Sequence, residues 1–82
     1  MELERKVIDL IQANIEKKHI ITLNSDLRRD LGVDSFGTLM IVNDLEDTFG
    51  IEIKEDDIKK VVTVADIVQL LSDKYLPLVD KQ

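Results

Sequence analysis

The sequence contains no cysteine and no tryptophan, and only one histidine, one proline and three glycines among 82 residues. Without cysteine there is no disulfide, no thiolate nucleophile and no zinc–thiolate site. With His19 as the sole imidazole, a multi-histidine metal site is excluded too, and no metal is expected. No apolar run approaches the ~20 residues of a membrane span. Residues 1–20 carry charges throughout and lack the apolar stretch of a secretory signal. Basic residues are in the minority, 11 Lys and Arg against 17 Asp and Glu, for a net charge of −6. That balance argues against nucleic acid and against anionic membrane surfaces. It leaves basic protein partners, or solubility alone, as its meaning. These exclusions point to a small monomeric cytoplasmic domain spanning 1–82.

Apolar residues make up 44% of the chain, enough for one modest core. The acidity is concentrated: residues 30–57 hold nine acids and a single base, Lys54, while the flanking segments each carry a net charge of +1. Uniform solubility does not require such a block.

Residues 3–17 have the pattern of an amphipathic helix, with Leu3, Val7, Leu10, Ile11 and Ile15 in one band. Residues 18–34 show no sustained period and contain Asn24, Ser25 and Gly32; Leu23, Leu27 and Leu31 should tack this segment onto the core. So long a connection is unusual between packed helices and is often functional. Residues 35–49 form the second expected helix, opened by Asp34 as N-cap and stopped by Gly50. Residues 51–54 are expected to be an extended linker. Residues 55–61 read as a short helix with Glu55, Asp56 and Asp57 first and Lys59 and Lys60 last, an order that suits the helix dipole. Thr63 to Asp66 resembles a capping box opening a last helix, with Val64, Ile67, Val68, Leu71 and Tyr75 inward and Pro77 as its end. The fold class is all-α: a small four-helix bundle of three main helices and a short third one, with a long first loop.

The second helix has two apolar faces. By the ~100° step, Ile41, Val42, Leu45 and Phe49 share the core stripe. Phe36, Leu39 and Met40 fall on another face with Asn43 and Asp47, beside Asp44 and Glu46. An aromatic, a leucine and a methionine on a solvent face suggest a contact surface. Burial beneath the long loop, or a plain solvated face, is the alternative. Ser35, first residue of this helix, places its hydroxyl at the positive end of the dipole, where a phosphate ester is favoured. On position alone the favoured reading is an unmodified capping serine. A hydrolase reading fails, because Val33 occupies the first glycine position of a nucleophile elbow and His19 would be the only base. A calcium loop starting at Asp44 puts Phe49 where glycine is needed.

Asp30-Leu31-Gly32-Val33-Asp34-Ser35-Phe36 resembles the signature D-L-G-x-D-S-L of the acyl carrier protein family, with Phe36 in place of leucine. The resemblance continues through Leu45-Glu46-Asp47-Thr48-Phe49-Gly50-Ile51-Glu52-Ile53 and covers nearly the whole chain. It implies a carrier and not an enzyme, with 4′-phosphopantetheine from coenzyme A on Ser35. It implies that Asp34 helps present Ser35 and a metal to a phosphopantetheinyl transferase. It makes the second helix a docking helix, with Phe36, Leu39, Met40, Asn43, Glu46 and Asp47 facing acyl-transfer and biosynthetic enzymes that carry basic docking surfaces. Together with the wheel it implies an acyl pocket lined by Ile41, Leu45, Ile53, Ile58, Val61 and Ile67. The implied role is delivery of thioester-bound acyl groups in fatty-acid, polyketide or related lipid biosynthesis. An aminoacyl or peptidyl carrier and an unmodified helical adaptor are the rival readings. Where housekeeping fatty-acid carriers have acids after the signature, this chain has Gly37 and Met40, and Arg28 and Arg29 stand in the approach loop. These departures suit a specialised carrier.

Overall fold

A computed structural model describes residues 2–77. Helix α1 runs Glu2–Ala13, α2 Ser35–Phe49, α3 Glu55–Ile58 and α4 Val64–Leu70, and α4 continues into a π-helical turn at Leu71–Tyr75. No strand occurs among the described residues; the one β-bridge pairs Asp26 with Thr63. The architecture is the expected small helical bundle. α1 packs on both α2 and α4.

The inward stripes meet as the periodicity predicts. Val7 and Ile11 of α1, Leu45 of α2, and Val64 and Leu71 of the last helix have almost no exposed surface. Ile41, Ile67 and Tyr75 join them, while Val42 and Phe49 pack half-buried at the margin. Burying a leucine or isoleucine fully is worth roughly 1.5–3 kcal/mol. These few side chains therefore carry most of the drive to fold a chain this short. The long loop contributes Leu27, Leu31 and Val33, all buried, and Leu23 against the core edge.

The helix boundaries differ from expectation at two places, both for reasons of hydrogen bonding. α1 stops at Ala13 and not at residue 17. The Asn14 side-chain amide donates to the Leu10 carbonyl at 2.9 Å and to the Asp44 carboxylate at 2.7 Å. Its backbone N–H closes a tight turn on Ile11. A side chain that captures the helix's own carbonyl in this way ends the repeat. α3 ends at Ile58 and not at residue 61. Residues 62 and 63 are already engaged: the Leu27 N–H donates to the Val62 carbonyl, and the N–H groups of Val62 and Thr63 donate to the Asp66 carboxylate. The expectation that Pro77 ends the last helix concerns a boundary outside the described residues.

The caps follow the sequence closely. Gly50 takes the left-handed conformation at φ 65° and closes α2. Residue 50 is thus a position where a Cβ is disfavoured. Thr63 accepts from the Asp66 N–H while Asp66 reaches back to the Thr63 N–H, a complete capping box. Those backbone donors hold the Asp66 carboxyl below its ordinary value of 3.8. A depressed carboxylate stabilises the fold fully above its unfolded value, and the gain is lost as pH falls through the folded value. Asp66→Asn should therefore cost ~0.5–2 kcal/mol near neutral pH, and the difference from wild type should shrink below the ordinary carboxylate range. Urea unfolding followed by circular dichroism across pH measures both.

Candidate functional site

The segment before α2 is knotted around one carboxylate. Asp26 Oδ1 accepts from the N–H groups of Arg28 and Arg29 at 3.0 and 2.8 Å. Its carbonyl accepts from Asp30 and Leu31, and its own N–H donates to the Asp30 carboxylate at 2.7 Å. The Val33 N–H donates to the Leu27 carbonyl at 2.8 Å. The chain reverses at Gly32, where φ is 68° and no neighbour would obstruct a side chain. Glycine is required there by conformation and not by space. The knot drives Leu27, Leu31 and Val33 into the core and delivers the chain to α2 at a fixed point.

Ser35 is the first residue of α2, and its side chain is exposed. Asp34 caps the helix from extended backbone, and its Oδ1 accepts from the Gly37 N–H at 2.8 Å. The Thr38 N–H and hydroxyl both donate to the Asp34 carbonyl. The first amides of a helix have no helical acceptor. The Ser35 hydroxyl thus stands among positive dipole ends, with no hydrogen-bond partner among the described residues.

An open groove of about 720 Å³ runs beside Ser35. Its walls include the acids Asp26 and Glu55 and the cations Arg28, Arg29 and Lys59, with Thr38, Val61 and Val62. The side chains of Arg28, Arg29 and Lys59 form no ion pair or hydrogen bond within the described residues. The groove adjoins a small, partly open apolar cavity of about 20 Å³; Leu27, Thr38, Ile58 and Val61 line both. All six residues expected to form an acyl pocket, Ile41, Leu45, Ile53, Ile58, Val61 and Ile67, surround this one cavity.

The expected docking face divides. Phe36 and Leu39 are 69% and 54% exposed. Asn43 and Asp47 are exposed, whereas Met40 is half-buried. Glu46 lies half-buried, and its Oε2 accepts from the Ile53 N–H at 2.8 Å, so it spends one oxygen on the linker after α2. Asp44 likewise holds Asn14. The three unpaired cations beside Ser35 escaped the sequence reading as a group. Arg28 and Arg29 were visible as basic residues, but Lys59 reaches the same groove only through the packing of α3.

The chain is similar to known carrier proteins. The Phosphopantetheine attachment site family matches residues 5–71. An acyl carrier protein of Rickettsia canadensis is 34% identical over 74 residues, 89% of this chain and 86% of the relative. One from Rickettsia bellii is 38% identical over 73 residues, 87% of this chain and 89% of the relative. A solved Mycobacterium tuberculosis chain described as a candidate acyl carrier protein superposes with a TM-score of 0.81 at 31% identity, covering 85% of this chain and 95% of that one.

Asp34→Ala removes the cap acceptor and should cost ~0.5–2 kcal/mol. Gly32→Ala should cost ~1–2 kcal/mol through left-handed strain. Urea midpoints of the two variants, alone and combined, check these values.

Proposed function

Since the chain belongs to the acyl carrier protein family, whose members are carriers bearing 4′-phosphopantetheine and not enzymes, we propose that Ser35 is its attachment residue and that it delivers thioester-bound acyl groups in fatty-acid, polyketide or related lipid biosynthesis. The observation that carries the proposal is the exposed, unpartnered Ser35 hydroxyl at the start of α2, beside three unpaired cations. The bound group supplies the thiol that this cysteine-free chain lacks.

The residues around Ser35 fit that group. A phosphodiester carries one negative charge, and Arg28, Arg29 and Lys59 exceed Asp26 and Glu55 in the groove by one positive charge. The cations would hold the phosphodiester, and Thr38, Val61 and Val62 would flank the arm. Asp34 spends Oδ1 on the helix cap and keeps Oδ2 without a partner. That oxygen supports its part in presenting Ser35 and a metal to the transferase.

Carrier proteins interact with a phosphopantetheinyl transferase and with biosynthetic enzymes. Here Phe36 and Leu39 would serve as apolar anchors, with Met40 at their edge. Asn43, Glu46 and Asp47 continue this face along α2. The free acid Asp47 and the exposed Glu55 and Asp56 of α3 suit basic surfaces on those enzymes. Charge complementarity of this kind speeds encounter and tunes specificity. Gly37 and Met40, where housekeeping carriers have acids, support a specialised polyketide-type, lipid-modifying or aminoacyl pathway. No helix among the described residues is long and apolar enough to cross a membrane. A monomer acting in the cytoplasm as one carrier domain over 1–82 completes the proposal.

The test is intact mass after incubation with coenzyme A and a broad-specificity phosphopantetheinyl transferase. The mass should rise by one phosphopantetheinyl group, and Ser35→Ala should abolish the rise. No rise in the wild-type chain would leave the unmodified adaptor as the better reading. With the arm in place, Phe36→Ala should reduce kcat/KM for acyl transfer by its own partner enzymes roughly 5–30-fold, the effect of losing a buried interface anchor. Met40→Glu should weaken the same reaction while improving transfer by general fatty-acid enzymes. Rates at low and moderate salt measure both variants.

A further inference from the structure

The apolar cavity of about 20 Å³ has room for little more than one water-sized sphere. A chain of several methylenes cannot enter it unless a wall moves. The walls are unequal. Ile41 and Leu45 of α2, and Ile67 and Leu71 of the last helix, are buried in the frame of the bundle. The opposite wall is residues 53–61, a linker and a single helical turn. Ile58 and Val61 there are half-buried, as Thr38, Val42 and Leu70 are on the frame side, so it is the brevity of this wall that makes it the weaker one. The wall that yields is therefore α3.

One buried side chain outside the carrier site fastens that wall. Tyr75, 5% exposed, extends from the π-helical turn toward α3. Its hydroxyl accepts from the backbone N–H of Lys54, the residue that opens α3, at 2.9 Å. It donates to Asp57 Oδ2 at 2.5 Å, inside α3. Lys74 Nζ donates to the same carboxylate oxygen at 2.7 Å. α3 has no side-chain cap of its own at Lys54. A helix of four residues cannot hold its position by local hydrogen bonding alone. The phenol and the Lys74 ammonium are thus its ties to the last helix. At the linker, Glu46 makes a further tie through the Ile53 N–H.

We infer that the Tyr75–Asp57 latch determines the length of acyl chain that this carrier accepts inside the bundle. A short acyl group is accommodated by small displacements of Ile58 and Val61 with the latch closed. A longer one requires α3 to move away from the last helix, which breaks the bonds of the Tyr75 hydroxyl to Lys54 and Asp57. The inference rests on the reading of Ser35 as the point of attachment. It adds the residue pair that discriminates among the groups attached.

The experiment loads the phosphopantetheinylated chain with straight saturated acyl groups of increasing length and follows thioester cleavage by hydroxylamine. Groups held inside the bundle are protected; groups left in solvent react as the free acyl-pantetheine does. In Tyr75→Phe, which keeps the ring and removes the hydroxyl, the limit of protection should move to longer chains. Groups just beyond the wild-type limit should react roughly 5–100-fold more slowly, the population shift expected from losing the two hydrogen bonds of the hydroxyl. Asp57→Asn should move the limit in the same direction. Val7→Ala lowers stability from α1 without touching α3, and its length profile should superimpose on that of wild type. The inference is overturned if Tyr75→Phe lowers stability yet keeps the wild-type profile, or if Val7→Ala shifts the profile equally. A chain that gains no mass at Ser35 overturns the carrier reading itself, an outcome that intact mass separates from failure of the latch.

Discussion

The burial of Leu27, Leu31 and Val33 beneath the start of α2 is the constraint on which the rest depends. A loop of this length would ordinarily leave its exit point undefined. Here the Asp26 carboxylate gathers the backbone N–H groups of Arg28 and Arg29, Gly32 turns the chain, and three apolar side chains fasten the result to the core. Asp34 then begins the helix in one register. Ser35 is in consequence exposed and set at a defined point, the first residue of α2. The same knot sends the Arg28 and Arg29 side chains outward into the groove beside that serine.

The local features of the fold were legible in the sequence because they depend on residues a few positions apart. The caps at Asp34, Gly50 and Thr63 each need only one helical turn to be recognised. The stripes on α1 and α2 follow from periodicity alone. Of the six cavity residues, Ile41 and Leu45 were legible from the wheel of α2, while Ile53, Ile58, Val61 and Ile67 came from the resemblance to the family. What escaped depends on contacts across the molecule. Asn14 ends α1 partly by reaching Asp44, thirty positions away. Glu46 resembles a surface acid until the linker folds back and offers it the Ile53 N–H. Lys59 joins Arg28 and Arg29 only after α3 is docked, and no periodicity pairs Tyr75 with Asp57.

The energetic design is a stiff frame with one soft wall. α1, α2 and the last helix bury their side chains against each other, and close-packed interiors of that kind resist deformation. α3 is a single turn fastened by a few polar contacts, the sort of element that opens at low free energy. Lys74 and the Tyr75 hydroxyl hold the Asp57 carboxyl below its ordinary value, and burial with the neighbouring carboxylate raises that of the Tyr75 phenol. The Tyr75–Asp57 contact therefore keeps its protons in place through the neutral range. A carrier must protect a thioester in transit and release it at each enzyme. A soft wall beside the proposed attachment point, Ser35, would meet both demands.

The measurement that tests this account most directly is a nuclear Overhauser spectrum of the chain carrying a short saturated acyl group on its phosphopantetheine arm. The account predicts cross-peaks from the acyl methylenes to the methyl groups of Ile41, Val61 and Ile67, with arm protons close to Thr38. Acyl resonances at the positions of free acyl-pantetheine, with no cross-peaks to these residues despite a modified Ser35, would contradict it.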